Sequence, residues 1–262
     1  MRVGLRGVAI AIIFVCGLVI HVPLRMVELA LTEPRRPLTG RLAQGVYRLT
    51  LLCLGLPLRI EDAAGRGAQD TPAALVANHA SWLDIVVLNA AQPVTFVSKS
   101  EVADWPGIGA LARLAGTVFI TRNPRDASAQ QRQLAQALAQ GRQLVLFPEG
   151  TSTDGQRVLP FKSTLMSAFY HDPALQAARV QPVTIIYDAP ADVAEPRFYG
   201  WWGDMDLGPH LLRVLAQAPQ GRVTVRRHTP VPVAEAKDRK TLSARLEHAV
   251  RDGMPRDRQR SA

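Results

Sequence analysis

The chain has 262 residues, 47% of them hydrophobic, which is enough apolar surface for one α/β domain with an appendage and excludes a disordered chain. A formal charge of +9 and a pI near 10.3 suit a nucleic-acid partner in general, but here the excess lies at the two ends. Residues 1–60 carry eight Arg against two Glu, residues 61–225 sum to −2 and residues 226–262 to +5. A slightly acidic middle argues against a nucleic-acid groove and makes a membrane surface the better partner.

From Gly7 to Leu24 the sequence is apolar apart from His21 and Pro23, and Arg2, Arg6 and Arg25 bracket it. Roughly 20 apolar residues span a bilayer at 1.5 Å per residue, and no small-x-small cleavage pattern follows. A retained anchor is therefore expected rather than a cleaved signal peptide. Between Arg41 and Arg59, Leu42, Val46, Leu49, Leu52 and Leu56 recur at helical spacing. This predicts an amphipathic helix at the lipid interface or a helix buried on the soluble core; the neighbouring anchor favours the membrane. Residues 1–60 are thus assigned to a membrane anchor and amphipathic helix. Cys16 and Cys53 both lie in these apolar stretches and offer neither a disulfide framework nor a zinc site.

Beyond a Gly-containing break at Ala63–Asp70, short apolar strands alternate with helices. Strands are predicted at Ala73–Ala77, Val94–Ser98, Thr117–Thr121, Gln143–Phe147, Val180–Tyr187 and Arg222–His228. Helices are predicted at Leu83–Ala91, Ile108–Leu114, Ala127–Gln140, Ser163–Tyr170, Met205–Ala216 and Lys240–Val250. The pattern indicates an α/β domain over residues 61–250, its sheet covered by helices, followed by a basic, disordered tail from Arg251 to Ala262.

In such sheets chemistry gathers beyond the carboxyl ends of strands, where three polar clusters fall. The first is Asn78-His79-Ala80-Ser81-Trp82-Leu83-Asp84. A carboxylate five residues after a histidine, at the start of a helix, can hold one ring nitrogen protonated and leave the other as a base for a hydroxyl proton. A helix-capping network built on the same residues would explain the pattern too, with Asn78 and Ser81 as caps or loop orienters. The second is Phe147-Pro148-Glu149-Gly150-Thr151-Ser152, a turn offering hydroxyl and backbone donors to an anion, or a plain surface turn. The third, Gly116 to Arg122, delivers the Arg122 guanidinium to the same edge, with Arg125 as a competitor for phosphate recognition.

Together these blocks resemble the bacterial lysophospholipid acyltransferase family typified by 1-acylglycerol-3-phosphate acyltransferase. The matching residues are NHASWLD with its His-x4-Asp spacing, GTVFITR, FPEGT and VQPVTIIY with Pro182, in family order over about half the chain. The resemblance implies a glycerolipid acyltransferase fold, a mixed sheet covered by helices, with an N-terminal two-helix membrane motif. It makes His79 the general base and Asp84 its orienting partner. Arg122 with Glu149, Gly150 and Thr151, and with Asn78 and Ser81 nearby, would bind the acceptor's phosphate or headgroup. No cofactor is implied beyond acyl-CoA or acyl carrier protein as donor, no metal and no nucleic acid. The expected setting is the cytoplasmic face of the inner membrane.

By the same resemblance the expected product is phosphatidic acid, made from 1-acyl-sn-glycerol 3-phosphate. One departure bears on that expectation: phosphatidic-acid-forming members read Glu-Gly-Thr-Arg, whereas Ser152 follows Thr151 here. Trp201-Trp202-Gly203-Asp204-Met205-Asp206-Leu207 and Pro160-Phe161-Lys162-Ser163 are similar to a subgroup that includes lyso-ornithine-lipid acyltransferases, the alternative acceptor class. Without a Gly-x-Ser-x-Gly elbow the chain offers no convincing nucleophile of its own, so the acceptor hydroxyl attacks the thioester while His79 takes its proton. An acyl-enzyme on Ser81, a lipid hydrolase and a non-catalytic membrane protein are the competing readings.

Overall fold

A computed structural model describes residues 1–31, 37–63, 73–105, 107–121 and 127–258. Among these residues eight strands form one sheet in the order β1-β7-β6-β2-β5-β3-β4, with β8 (Val231–Pro232) paired to β6. The strands are β1 (Leu58–Asp62), β2 (Ala74–Ala77), β3 (Thr95–Lys99), β4 (Val118–Ile120), β5 (Leu144–Leu146), β6 (Arg179–Asp188) and β7 (Arg222–Arg227). Strands β6, β2, β5, β3 and β4 run parallel, and β7 is antiparallel to β6. The carboxyl ends of β2, β5 and β6 therefore meet at one edge of the sheet.

Both faces are covered. Leu75 and Ala77 of β2 pack on the side of helices α3 (Leu83–Ala91) and α6 (Leu207–Ala216), while Ala74 and Val76 pack on the side of α5 (Ala127–Ala139) and α7 (Arg239–Gly253). Alternation along a strand produces this two-sided core, and it explains why β2 and most of β6 are buried throughout. The short helix α4 (Ile108–Leu114) links β3 to β4.

Helix α1 (Arg2–Leu31) has 30 residues, about 45 Å at 1.5 Å per residue, and its most apolar window has a mean hydropathy of 2.5. It is the one helix among the described residues long and apolar enough to cross a membrane. Its side chains from Leu5 through Val8, Ile12, Val15, Val19, Val22, Met26 and Leu29 are exposed at alternating three- and four-residue steps. Helix α2 (Pro37–Leu54) packs on α1 where Gly17 meets Val46; a Cβ built on Gly17 would lie 2.6 Å from Val46 Cγ2.

Helix α2 stops earlier than the periodicity predicts. Gly55, at φ +73°, ends it: the Gly55 N–H bonds to Leu52 O at 3.0 Å and the Leu56 N–H to Leu51 O at 3.0 Å, while Leu51 and Leu56 bury together. Pro57 then leads into β1, the strand that takes up Leu58 and Arg59. The expected apolar stripe also divides. Of its members, Leu56 joins the core beside α3 together with Leu51 and Leu54 from outside the stripe, whereas Leu49 and Leu52 remain 51% and 75% exposed. One face of α2 is a core helix and another stays exposed.

Helix termini dock this pair onto the domain. Arg6 donates to the carbonyls of Leu215 (3.0 Å) and Gln217 (2.6 Å) at the end of α6. Gln44 and Arg48 both donate, at 2.9 Å, to Ala91 O and Ala90 O respectively at the end of α3. Each satisfies carbonyls that a helix C-terminus leaves unpaired, and the guanidinium charges suit the negative end of the dipole.

The C-terminal boundary also shifts. Where a disordered tail is expected from Arg251, α7 continues to Gly253, Met254 is 2% exposed, and Arg258 donates to Tyr187 O (2.8 Å) and Asp188 Oδ1 (2.6 Å). An apolar side chain with a hole to fill and a cation opposite a carboxylate hold the segment down. Met254→Ala is expected to cost about 2–5 kcal/mol and to lower the thermal midpoint by at least about 4 °C; an unchanged midpoint would mean that the segment does not pack.

Candidate functional site

The loop from β2 into α3 builds the centre of the site. The Asp84 carboxylate, fully buried in the first turn of α3, receives four donors. Its Oδ2 accepts from Ala80 N (2.8 Å) and Ser81 N (3.0 Å) and lies 2.7 Å from His79 Nδ1. Its Oδ1 accepts from Tyr187 Oη at 2.7 Å. A carboxylate holding two backbone N–H groups is an acceptor, so His79 Nδ1 carries the proton towards it and Nε2 keeps a lone pair. The His79 side chain is 22% exposed while Asp84 is at 0%, so the ring opens to the surface and its orienting partner does not. Phe147 stacks on the imidazole with centroids 4.2 Å apart.

The turn after β5 supports this loop from the side. Glu149, 2% exposed, accepts from His79 N at 2.8 Å through Oε1 and from Leu159 N at 3.0 Å through Oε2. Burial pushes its carboxyl up to about 8; the N–H groups of Leu159 and His79 pull it down, the Asp84 charge raises it and Arg251 lowers it. Glu149 is thus a brace between the two loops, turned inward from any acceptor. Gly150, at φ +73°, bends the turn, and Thr151 stands exposed at its tip. Thr153 donates to His79 O from its N–H (2.8 Å), and Trp201 N donates to Ala80 O (2.8 Å), so the segment after Gly200 seats against the histidine loop.

His79, Asp84, Glu149 and Gly150 are therefore brought together as expected, and Thr151 lies on the adjoining turn. The expected acceptor contact of Glu149 is replaced by its bracing role, and two other residues also play different parts. Asn78 is fully buried and its amide spans the Ile185 backbone, donating to O at 3.0 Å and accepting from N at 2.8 Å; it clamps β2 to β6. Ser81 is fully buried with its hydroxyl accepting from Leu83 N at 3.3 Å, the position of a helix cap and not of a presented nucleophile. Arg122, with Arg125, lies outside the described residues; β4 runs parallel to β3 and ends at the same edge.

Sequence reasoning missed Tyr187. It is 103 positions from Asp84, and only the pairing of β2 with β6, Ala77 opposite Val183, brings it in. Burial pushes its phenol well above the usual value, and the Asp84 charge adds to this, so it stays a donor.

Comparison with known proteins decides the family. The acyltransferase family model matches residues 61–186. A lyso-ornithine lipid O-acyltransferase of Rhodobacter capsulatus is 48% identical over 97% of this chain and 90% of its own. The chain belongs to the lysophospholipid acyltransferase family. A 1-acyl-sn-glycerol-3-phosphate acyltransferase of Neisseria meningitidis serogroup B is 31% identical over 87% of this chain and 85% of its own. The crystal structure of a 1-acyl-sn-glycerophosphate acyltransferase from Thermotoga maritima superposes with a TM-score of 0.59 at 21% identity, covering 100% of both chains, and shares the fold. As a member of this family with an apolar N-terminal helix, the chain is a membrane-associated O-acyltransferase.

Glu149 makes a pH-dependent contribution. In the fold it keeps its proton to about pH 8, whereas the exposed group releases it near 4.5. Between those values the folded protein holds one proton more than the unfolded chain, so stability falls as pH rises through this window and levels off above it. Glu149→Gln is expected to flatten that slope, measured as the thermal midpoint of the detergent-solubilised protein from pH 5 to 9. An identical slope in both proteins would contradict the assignment.

Proposed function

We propose that this enzyme transfers a fatty acyl group from an acyl thioester to the hydroxyl of a lyso-ornithine lipid. The observation that carries the acyl-transfer chemistry is the tautomer imposed by Asp84, which leaves His79 Nε2 as a base at the surface of the domain. For the acceptor, the extensive likeness to the R. capsulatus enzyme, at 48% identity, outweighs that to the Neisseria enzyme, at 31%. Ser152 in place of the arginine of phosphatidic-acid-forming members points the same way. The expectation of 1-acyl-sn-glycerol 3-phosphate as the preferred acceptor therefore gives way to its alternative.

In the proposed step His79 Nε2 takes the hydroxyl proton as the acceptor oxygen attacks the thioester carbonyl carbon. The Asp84 carboxylate faces the imidazolium that forms, through a 2.7 Å contact to Nδ1. The thiolate leaves as the tetrahedral intermediate collapses, and the imidazolium returns a proton to it. Atoms and charges balance with no cofactor beyond the donor, which is acyl-CoA or acyl carrier protein. The enzyme works at the cytoplasmic face of the inner membrane in this reading, supported by the Arg residues that bracket the anchor.

Purified protein in mixed micelles is expected to acylate lyso-ornithine lipid faster than lysophosphatidic acid with the better of the two donor types. His79→Ala should lower turnover by about 10²–10⁴-fold while the protein still folds and partitions with membranes. Free fatty acid without acylated lipid would reveal a hydrolase, and near-normal turnover in the variant would overturn the role of His79.

A further inference from the structure

The turn after β5 lacks the arginine of phosphatidic-acid-forming members, yet it is crossed by a different cation. The stretch from Leu159 to Lys162 lies along this turn: Leu159 N donates to Glu149 Oε2 (3.0 Å) and Lys162 N to Pro148 O (2.9 Å). Helix α7 holds the same stretch from behind, with Phe161 N donating to Glu247 Oε2 (2.7 Å) and Ser243 Oγ to Phe161 O (3.4 Å). Phe161 is 9% exposed, so the backbone that carries Lys162 is fixed on both sides.

The lysine side chain then passes over Gly150. A Cβ built there would lie 3.0 Å from Lys162 Nζ, 3.5 Å from Cδ and 3.6 Å from Cε. Gly150 thus meets two demands, the positive φ of the turn and room for this stem. Two guanidiniums among the described residues are committed elsewhere: Arg157 faces Asp154 at 3.7 Å and Arg251 faces Glu247 at 2.9 Å. Among the described residues no carboxylate pairs with the exposed Lys162 ammonium. Through Glu149, which also holds His79 N, the turn that Lys162 covers is tied directly to the histidine loop.

We propose that Lys162 binds the anionic group of the acceptor headgroup at the turn formed by Glu149, Gly150 and Thr151. This rests on the acyl-transfer reading, in which the lyso-ornithine headgroup offers a carboxylate where lysophosphatidic acid offers a phosphate. A lysine acts as a compact point charge and suits either anion, without the bidentate fork that an arginine brings to a phosphate. The stem laid across Gly150 limits the rotamers left to the ammonium, so less order is lost when the acceptor binds.

The test compares wild type, Lys162→Met and Lys162→Arg in mixed micelles, with lyso-ornithine lipid, its carboxyl methyl ester and lysophosphatidic acid as acceptors. Lys162→Met is expected to raise the KM for lyso-ornithine lipid roughly 10- to 100-fold, the range of a charge-assisted hydrogen bond. The donor KM should stay unchanged and Lys162→Arg should restore most of the loss. With the methyl ester, wild type and Lys162→Met should differ little, because the anion is already gone. An unchanged acceptor KM, a raised donor KM, or an equal loss on the methyl ester would overturn the proposal. A wild-type preference for lysophosphatidic acid would refute the lyso-ornithine reading alone; Lys162 would then be judged by the same KM comparison on that acceptor.

Discussion

The site depends on one buried carboxylate with no freedom left. Asp84 is fixed by two backbone N–H groups from its own loop, by the Tyr187 hydroxyl from the middle of the sheet and by the His79 ring. Burying a carboxylate without partners costs several kcal/mol, so four donors are what make it tolerable and also what make it rigid. Everything around it serves this arrangement: the Asn78 clamp that joins β2 to β6, the Glu149 brace under His79 N, and the first turn of α3 whose positive end faces Asp84. The imidazole inherits a single tautomer and a single orientation from these contacts.

Charge is spent differently from what its distribution along the chain suggests. The cations of residues 226–262 read as an attraction for anionic lipid, yet Arg226 and Arg227 pair with Glu61 and Asp62 at 2.7 and 3.4 Å, across the parallel register of β1 and β7. Arg245, Arg251 and Arg258 pair with Glu235, Glu247 and Asp188. At the other end, Arg6 and Arg48 sit on the C-termini of α6 and α3. Many of these cations hold the fold together. Apolar side chains on α1 and Leu49 and Leu52 of α2 are left facing outward by the docked helices, a surface that suits membrane association.

Much of this was legible in the sequence because local patterns and tertiary demands agree. Helices Leu83–Ala91 and Ile108–Leu114 have the predicted limits, and the predicted strands match in place with ends moved by a residue or two. His79 and Asp84 could be paired because five residues of chain bring them together. Strand β1 was hidden because its Arg59, Glu61 and Asp62 interrupt the apolar pattern, and only the partner carboxylate–arginine pairs on β7 make it a strand. The Gly55-Leu56-Pro57 stop signal was present but was overridden by a continuing apolar spacing. Tyr187 and the inward roles of Asn78 and Glu149 were beyond reach, since each depends on which strand lies beside β2, whereas the capping role of Ser81 is local and stood among the readings of its loop.

Asp84 and His79 act as one unit in the proposed reaction, with the carboxylate choosing the tautomer. Asp84→Asn keeps an amide oxygen on the Ala80 and Ser81 N–H groups and on Nδ1, turns its N–H₂ towards Tyr187 Oη, and so removes the negative charge that faces the imidazolium while leaving the loop in place. The most direct measurement is a double-mutant cycle of acyl-transfer rate with His79→Ala, Asp84→Asn and the two combined. A loss of at least about 10²-fold is expected for Asp84→Asn, with the double variant no slower than His79→Ala alone. Near-wild-type turnover in Asp84→Asn, or losses that simply multiply, would contradict it.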